Sequence, residues 1–149
     1  ISPWGLAWDN ENYYLVGYDS DAGRIKHYRV DKMLHIRISE EEREGREHFQ
    51  KLDMADYTKK SFGMFGGEEQ TVKLLVDNSL VGVILDRFGK DVMLIPADEG
   101  HFTVNVDVHV SGQFLGWIFS LGEQVKILSP EGVAEQMKRE AERLMRQYG

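Results

Sequence analysis

Cysteine is absent from the 149-residue chain. That excludes disulfides, thiolate metal ligands and a cysteine nucleophile, and it accords with a reducing, cytoplasmic setting. Long apolar runs are missing as well: none approaches the roughly 18 residues of a membrane helix, and no signal-peptide pattern opens the chain. The expectation is a soluble protein with no membrane contact. Positive charge is in deficit, with 18 lysines and arginines against 25 aspartates and glutamates, a formal charge of −7. This balance argues against a protein that grips duplex DNA by broad phosphate neutralisation. Any anion site must be local.

Catalytic signatures are lacking too. There is no HExxH, no GxSxG and no GxxxxGK[ST], and Gly63, Gly66 and Gly67 do not follow a strand and open a helix as a dinucleotide fingerprint requires. The five histidines, His27, His35, His48, His101 and His109, stand singly, none beside another at ligand spacing. The sequence therefore predicts no enzyme, no metal and no cofactor.

What is present is an aromatic stretch next to a basic one. Tyr13-Tyr14-Leu15-Val16-Gly17-Tyr18 is followed, after the turn Asp19–Gly23, by Arg24-Ile25-Lys26-His27-Tyr28-Arg29-Val30-Asp31-Lys32-Met33. Arg24, Lys26, Arg29 and Lys32 against Asp31 leave a local formal charge of +3. Flat π faces beside fixed positive charge suit a nucleotide, a single strand or a similar anion. Two-residue alternation places Ile25, His27, Arg29 and Asp31 on one face and Arg24, Lys26, Tyr28 and Val30 on the other. Arg29 is the best anchor, because a planar guanidinium holds a phosphate bidentately and stacks on a base. The structural alternative is that Arg29 pairs with Asp31, or with Asp19 across the sheet, and that the tyrosines fill a half-buried sheet. The acidic run Ser39–Glu47 reads as a solvated loop or short helix.

Pro3–Trp8, Tyr13–Tyr18, Arg24–Met33 and Leu34–Ile38 read as short strands joined by tight turns, a small curled antiparallel sheet or barrel. A boundary falls near Gly67, dividing a first domain of residues 1–67 from a second of 68–149. Beyond it the order is β-α-β-β-α-β-α: strand Thr71–Val76, helix Asn78–Phe88 stopped by Gly89, strand Val92–Pro96, turn Asp98–Gly100 and strand Phe102–Val110. A helix capped by Ser111 and running to Leu121, a strand Gln124–Leu128 and a last helix complete it, with Ser129 as the predicted cap and Pro130 as the first helical residue. This is the ferredoxin-like arrangement with one added C-terminal helix. The predicted fold class is thus α+β. Val133, Met137, Ala141, Leu144 and Tyr148 make the apolar face of the last helix, for its own sheet or for a partner subunit.

The residues that carry these readings resemble the WYL domain family of bacterial transcriptional regulators. Tyr13-Tyr14-Leu15 resembles its W-Y-L segment, and Tyr28-Arg29-Val30-Asp31-Lys32-Met33 its [FY]-R-x-D-R-[IM] segment. From Thr71 on, including Phe114-Leu115-Gly116-Trp117 and the Ser129-Pro130 helix start, the chain is similar to the C-terminal extension that follows this domain. The resemblance implies an Sm-like, SH3-type barrel, then a ferredoxin-like domain that takes part in homodimer assembly. It also implies a winged helix-turn-helix ahead of this chain, with promoter DNA read only there; an opening Ile1 instead of methionine fits such a fragment. The implied role is effector sensing, with single-stranded nucleic acid or a nucleotide-like anion as ligand. By position the ligand surface would use Tyr13, Tyr14, Arg29 and Lys32, to which strand geometry adds Arg24 and His27. Tyr13 stands where the family has tryptophan, and Lys32 where it has arginine, keeping the charge but losing the fork.

Overall fold

The turn cluster Asp9–Asn12 folds β1 (Ser2–Asp9) back on β2 (Asn12–Asp19). Its central residues, Asn10 and Glu11, both take positive φ, 48° and 62°, the backbone of a two-residue turn whose twist matches a hairpin. A second turn ending at Gly23 (φ 63°) leads into β3 (Arg24–Arg29), giving an antiparallel meander in the order β1-β2-β3. The computed structural model describes all 149 residues and divides them into two units, Ile1–Gly66 and Gly67–Gly149.

In the first unit one face of the meander is covered. Ala7, Val16 and Met64 form its buried cluster, with Tyr14, Ile25, Phe49, Met54 and Tyr57 packed around them. Met54 and Tyr57 belong to α1 (Met54–Lys60), a helix that the mixed charges of this segment did not foretell. It starts where the Asp53 carboxylate accepts from the amides of Ala55 at 2.9 Å and Asp56 at 3.2 Å. The opposite face leaves Leu6, Trp8 and Tyr13 exposed.

Two strand expectations fail here for local reasons. The last pair of the β2–β3 ladder is Tyr14 with Arg29. Past it the chain has no partner strand and coils into a 3-10 turn over Val30–Lys32. Leu34–Ile38, expected as a further strand, pairs with nothing: His35 at φ 54° interrupts the extended run, and Leu34, Ile36 and Ile38 stand exposed. The observed sheet has three strands.

The second unit is a four-stranded antiparallel sheet. β4 (Glu68–Asp77) leads through a short 3-10 turn into α2 (Val81–Phe88), and β5 (Leu94–Pro96) pairs with β6 (His101–Val110). α3 (Gly112–Ser120), β7 (Val125–Ser129) and α4 (Glu131–Tyr148) complete it, with sheet order β5-β6-β4-β7. Val72, Leu74 and Val76 of β4 lie opposite Val106, Val104 and Phe102 of β6, and all six are buried. Ile84, Phe114, Leu115, Ile118 and Val133 bring the helices onto this core, each full burial worth about 1.5–3 kcal/mol. Ser111 caps α3 by accepting from the Phe114 amide at 3.2 Å. Gly67 admits no side chain, since a Cβ there would run into the Val110 carbonyl oxygen.

The start of α4 corrects the expected cap. Ser129 is the last residue of β7, paired with Lys73. Pro130 is itself the cap, extended at ψ 156°, and its carbonyl accepts from the amides of Val133 and Ala134. Along α4 only Val133 is buried; Met137 and Leu144 are half-buried and Tyr148 is exposed.

Candidate ligand-binding site

The six candidate residues fall into four places on the first unit. Tyr14, Arg29 and Lys32 meet at one end of the meander. Tyr14 is the cross-strand partner of Arg29, which places both on the covered face of the sheet. Because β3 stops at Arg29 and the 3-10 turn follows, Asp31 swings back beneath the guanidinium. Arg29 Nε donates to Asp31 Oδ1 at 3.1 Å and Nη2 to Oδ2 at 2.9 Å, a two-point fork. Nη2 also donates to Asn12 Oδ1 at 2.9 Å. The Arg29 hydrogen bond holds the Asp31 carboxyl below the usual carboxylate range and raises Arg29 in turn. The Lys32 ammonium lies 3.9 Å from the same carboxylate with its side chain 70% exposed, and the Arg29 side chain keeps 39% of its surface open. The pairing with Asp31 is the one that the sequence left open as the structural alternative.

Asp9, opposite Asn12 at the hairpin end, keeps Oδ2 out of solvent with no hydrogen-bond partner. A buried acceptor without a donor is costly, and this one shares the hairpin end with the Arg29 cluster.

His27 is elsewhere and otherwise engaged. It shares the covered face, where Nδ1 bonds the Met64 carbonyl and Nε2 lies 2.8 Å from the Tyr57 hydroxyl. A carbonyl only accepts, so Nδ1 carries the proton and Nε2 accepts from the tyrosine. Burial pushes the imidazole pKa down, opposed by the Met64 hydrogen bond, and raises the Tyr57 phenol. This ring ties β3 to α1 and the 62–65 segment.

Tyr13 sits on the opposite face, its ring edge-to-face with Trp8 at 4.7 Å between centroids. Arg24 lies at the far end of β3, across from Asp19. Near it, Asp19 accepts from the Lys26 ammonium, from the Tyr28 hydroxyl at 3.2 Å and from the Ala22 amide at 3.1 Å. The Lys26 hydrogen bond is the largest cause of an Asp19 pKa lowered to about 2. Sequence reasoning considered Asp19 only as a partner for Arg29. Its place at the end of β2, one residue before a turn, was the available signal for a carboxylate that closes the turn through a backbone amide.

Two family models match the chain, the WYL domain over residues 1–38 and the WCX domain over residues 68–145. No curated protein matches it. Among solved structures it is similar to proteasome accessory factor B/C (PafBC) of Arthrobacter aurescens, at 19% identity over 91% of this chain, with a TM-score of 0.40. The chain spans 20% of that one. With a WYL segment at its start and a WCX domain over more than half its length, the chain belongs to the family of WYL- and WCX-domain proteins.

Proposed function

We propose that this chain is the ligand-sensing and dimerisation region of a cytoplasmic regulator, without enzymatic activity. Residues 1–67 act as the WYL domain, an Sm-like module built on the three-stranded meander. Residues 68–149 act as its extension, a ferredoxin-like plait in the order β5-β6-β4-β7 with α4 added. The ligand is a nucleotide-like anion or single-stranded nucleic acid.

The observation that carries this reading is the seating of Asp31 in the Arg29 fork. The two donors already hold two oxygens of a planar anion at 2.9 and 3.1 Å. Such a fork accepts a phosphate in the same way. Ligand entry is therefore an exchange: the phosphate displaces the Asp31 carboxylate, Lys32 supplies a second charge, and Tyr14 stands beside the guanidinium. Arg24, His27 and Tyr13 hold the sheet around this place and do not share it. Promoter DNA is contacted through a separate helix-turn-helix.

Fluorescence anisotropy with a labelled oligothymidylate, taken on the whole chain, tests the exchange. Arg29→Ala weakens binding by about 10- to 100-fold, the range of a charge-assisted hydrogen-bonded pair. Asp31→Asn, which removes the internal competitor, tightens it. Equal binding by parent and both variants, all folded by circular dichroism, sinks the site.

A second reading, an assembly module without a ligand, is favoured by the exposed Leu34, Ile36 and Ile38 and by Leu6 and Trp8 on the open sheet face. Under it, Arg29→Glu and Lys32→Glu shift the sedimentation of the chain to monomer. Under the sensing reading they leave it unchanged.

A further inference from the structure

At the other end of the meander the first unit holds a cavity of about 270 Å³ lined by Trp4, Arg46, Phe49, Gln50, Leu52 and Met54. Trp4 sits where β1 shifts register between Pro3 and Gly5, three residues from Ala7, which pairs with Tyr14. That places it about 10 Å along the strand from the Arg29 end. The cavity is therefore separate from the anion site, and nothing in the argument for one depends on the other.

Its aromatic wall is fixed in position. The Trp4 indole N–H donates to the Glu44 carbonyl at 2.7 Å, and the Arg43 guanidinium lies over the ring, 4.2 Å from its centroid. The Phe49 ring stacks on it with centroids 5.6 Å apart and planes 17° from parallel. Glu44 is itself tied to β1, its amide donating to Ser2 Oγ at 2.8 Å, while Arg43 Nη1 donates to the Pro3 carbonyl at 3.1 Å. The floor is also shaped by the sequence. Residue 5 is glycine, and a Cβ there would meet the Met54 sulfur at 2.9 Å, so the thioether lies directly on the β1 backbone.

With its indole N–H consumed and Arg43 and Phe49 lying against its ring, Trp4 presents only the remaining apolar ring surface to the cavity, beside the apolar Phe49, Leu52 and Met54. The polar groups at the rim are Arg46 and Gln50, both exposed, and the Arg46 guanidinium engages no carboxylate. A small apolar cavity lined by two aromatic rings, with one cation and one amide at its mouth, is complementary to an aromatic molecule bearing one negative group at its edge. The volume lies just under the roughly 300–1,000 Å³ of drug-sized pockets, which limits the guest to one or two fused rings.

We propose that this cavity is a binding site for a small aromatic carboxylate, with the ring system against Trp4 and Phe49 and the carboxylate on Arg46.

The test is a titration of the ¹⁵N-labelled full chain with 1-naphthoate, followed through the indole N–H resonances. The expected result is a saturable shift of the Trp4 resonance with those of Trp8 and Trp117 unmoved. Arg46→Ala weakens the interaction by about tenfold or more, as does replacing the probe by the neutral 1-naphthalenemethanol. Arg29→Ala leaves it intact, which keeps this result independent of the anion site. Absence of a Trp4 shift at millimolar naphthoate overturns the proposal. So does a shift shared equally by all three tryptophans, or binding that Arg46→Ala or loss of the acid group leaves unchanged.

Discussion

The two units keep their shapes by different means. The second, Gly67–Gly149, buries fourteen apolar side chains fully or nearly so; the first, Ile1–Gly66, buries four, Ala7, Val16, Phe62 and Met64. What the first lacks in apolar core it replaces with directional links. His27 ties a carbonyl to a phenol, Asp19 gathers an ammonium, a hydroxyl and an amide, and Trp4 is held by a carbonyl and a guanidinium. Apolar burial is non-directional and insensitive to pH, whereas such links fail one at a time and some of them titrate. A scaffold of the first kind tolerates change; a unit of the second kind responds to it. This contrast is consistent with the proposed division of labour, sensing in the first unit and support in the second.

The sharpest test of the contrast lies in the packed core. Phe114 is completely buried, so Phe114→Ala costs the second unit about 3–5 kcal/mol by transfer and cavity together. Urea unfolding followed by Trp117 fluorescence measures it, and a loss under 1 kcal/mol would show that this core is loosely packed. In the first unit a glycine offers a matching test. Gly45 takes φ 77°, and a Cβ there would drive into the Tyr18 ring, which stacks on His48 at 4.9 Å between centroids. Gly45→Ala costs about 1–3 kcal/mol by overpacking, read from the denaturation midpoint of the Trp4 signal.

Acid separates the two modes of support further. His27 is neutral in the fold and its pKa is pushed below the ordinary 6.5 by burial. As pH falls, the unfolded chain takes up the proton first. The His27 contribution is therefore complete above pH 6.5 and drains away as pH drops from there toward the lower folded value. Asp19, at about 2 against an ordinary 3.8, contributes in full above 3.8 and is lost as pH falls through about 2. The midpoint of the Trp4 transition accordingly decreases from pH 7 to pH 5. His27→Gln lowers the midpoint at pH 7 and flattens that slope; a slope unchanged by the substitution would remove His27 as its source.

How much of this was legible depended on whether a signal was local. The strand Phe102–Val110, the Ser111 cap and the Gly89 stop depend on near neighbours, and all lie where the pattern put them to within a residue. Leu34–Ile38 had the right alternation and no partner strand, and pairing is not written in one strand. The start of α1 escaped because Asp53 stands in a stretch of mixed charge. At the candidate site, alternation placed His27, Arg29 and Asp31 on one face of the expected strand, but the pairing of Arg29 with Tyr14 and the separation of Tyr13 from it depend on a register between strands that one sequence does not carry. Nor could alternation show that the chain curls after Arg29 and delivers Asp31 into the fork. The surroundings of His27 were not legible for a related reason: its two partners, Tyr57 and Met64, are 30 and 37 residues away.

The smallest predicted effect concerns the end of α4. Val133 is buried, but Met145 and Tyr148 are 77% and 82% exposed, so the apolar face leaves its own sheet after the middle of the helix. For an isolated chain, Tyr148→Ser and Met145→Ser each change stability by less than about 0.5 kcal/mol, as expected of surface positions. Measuring the Trp117 transition at micromolar and at several-hundred-micromolar protein distinguishes two uses of this face. A cost that stays negligible at both concentrations means that the sheet of the second unit draws its stability from the front of α4 alone. A cost that emerges only at the higher concentration means that a second copy covers Met145 and Tyr148, because only association makes stability depend on concentration.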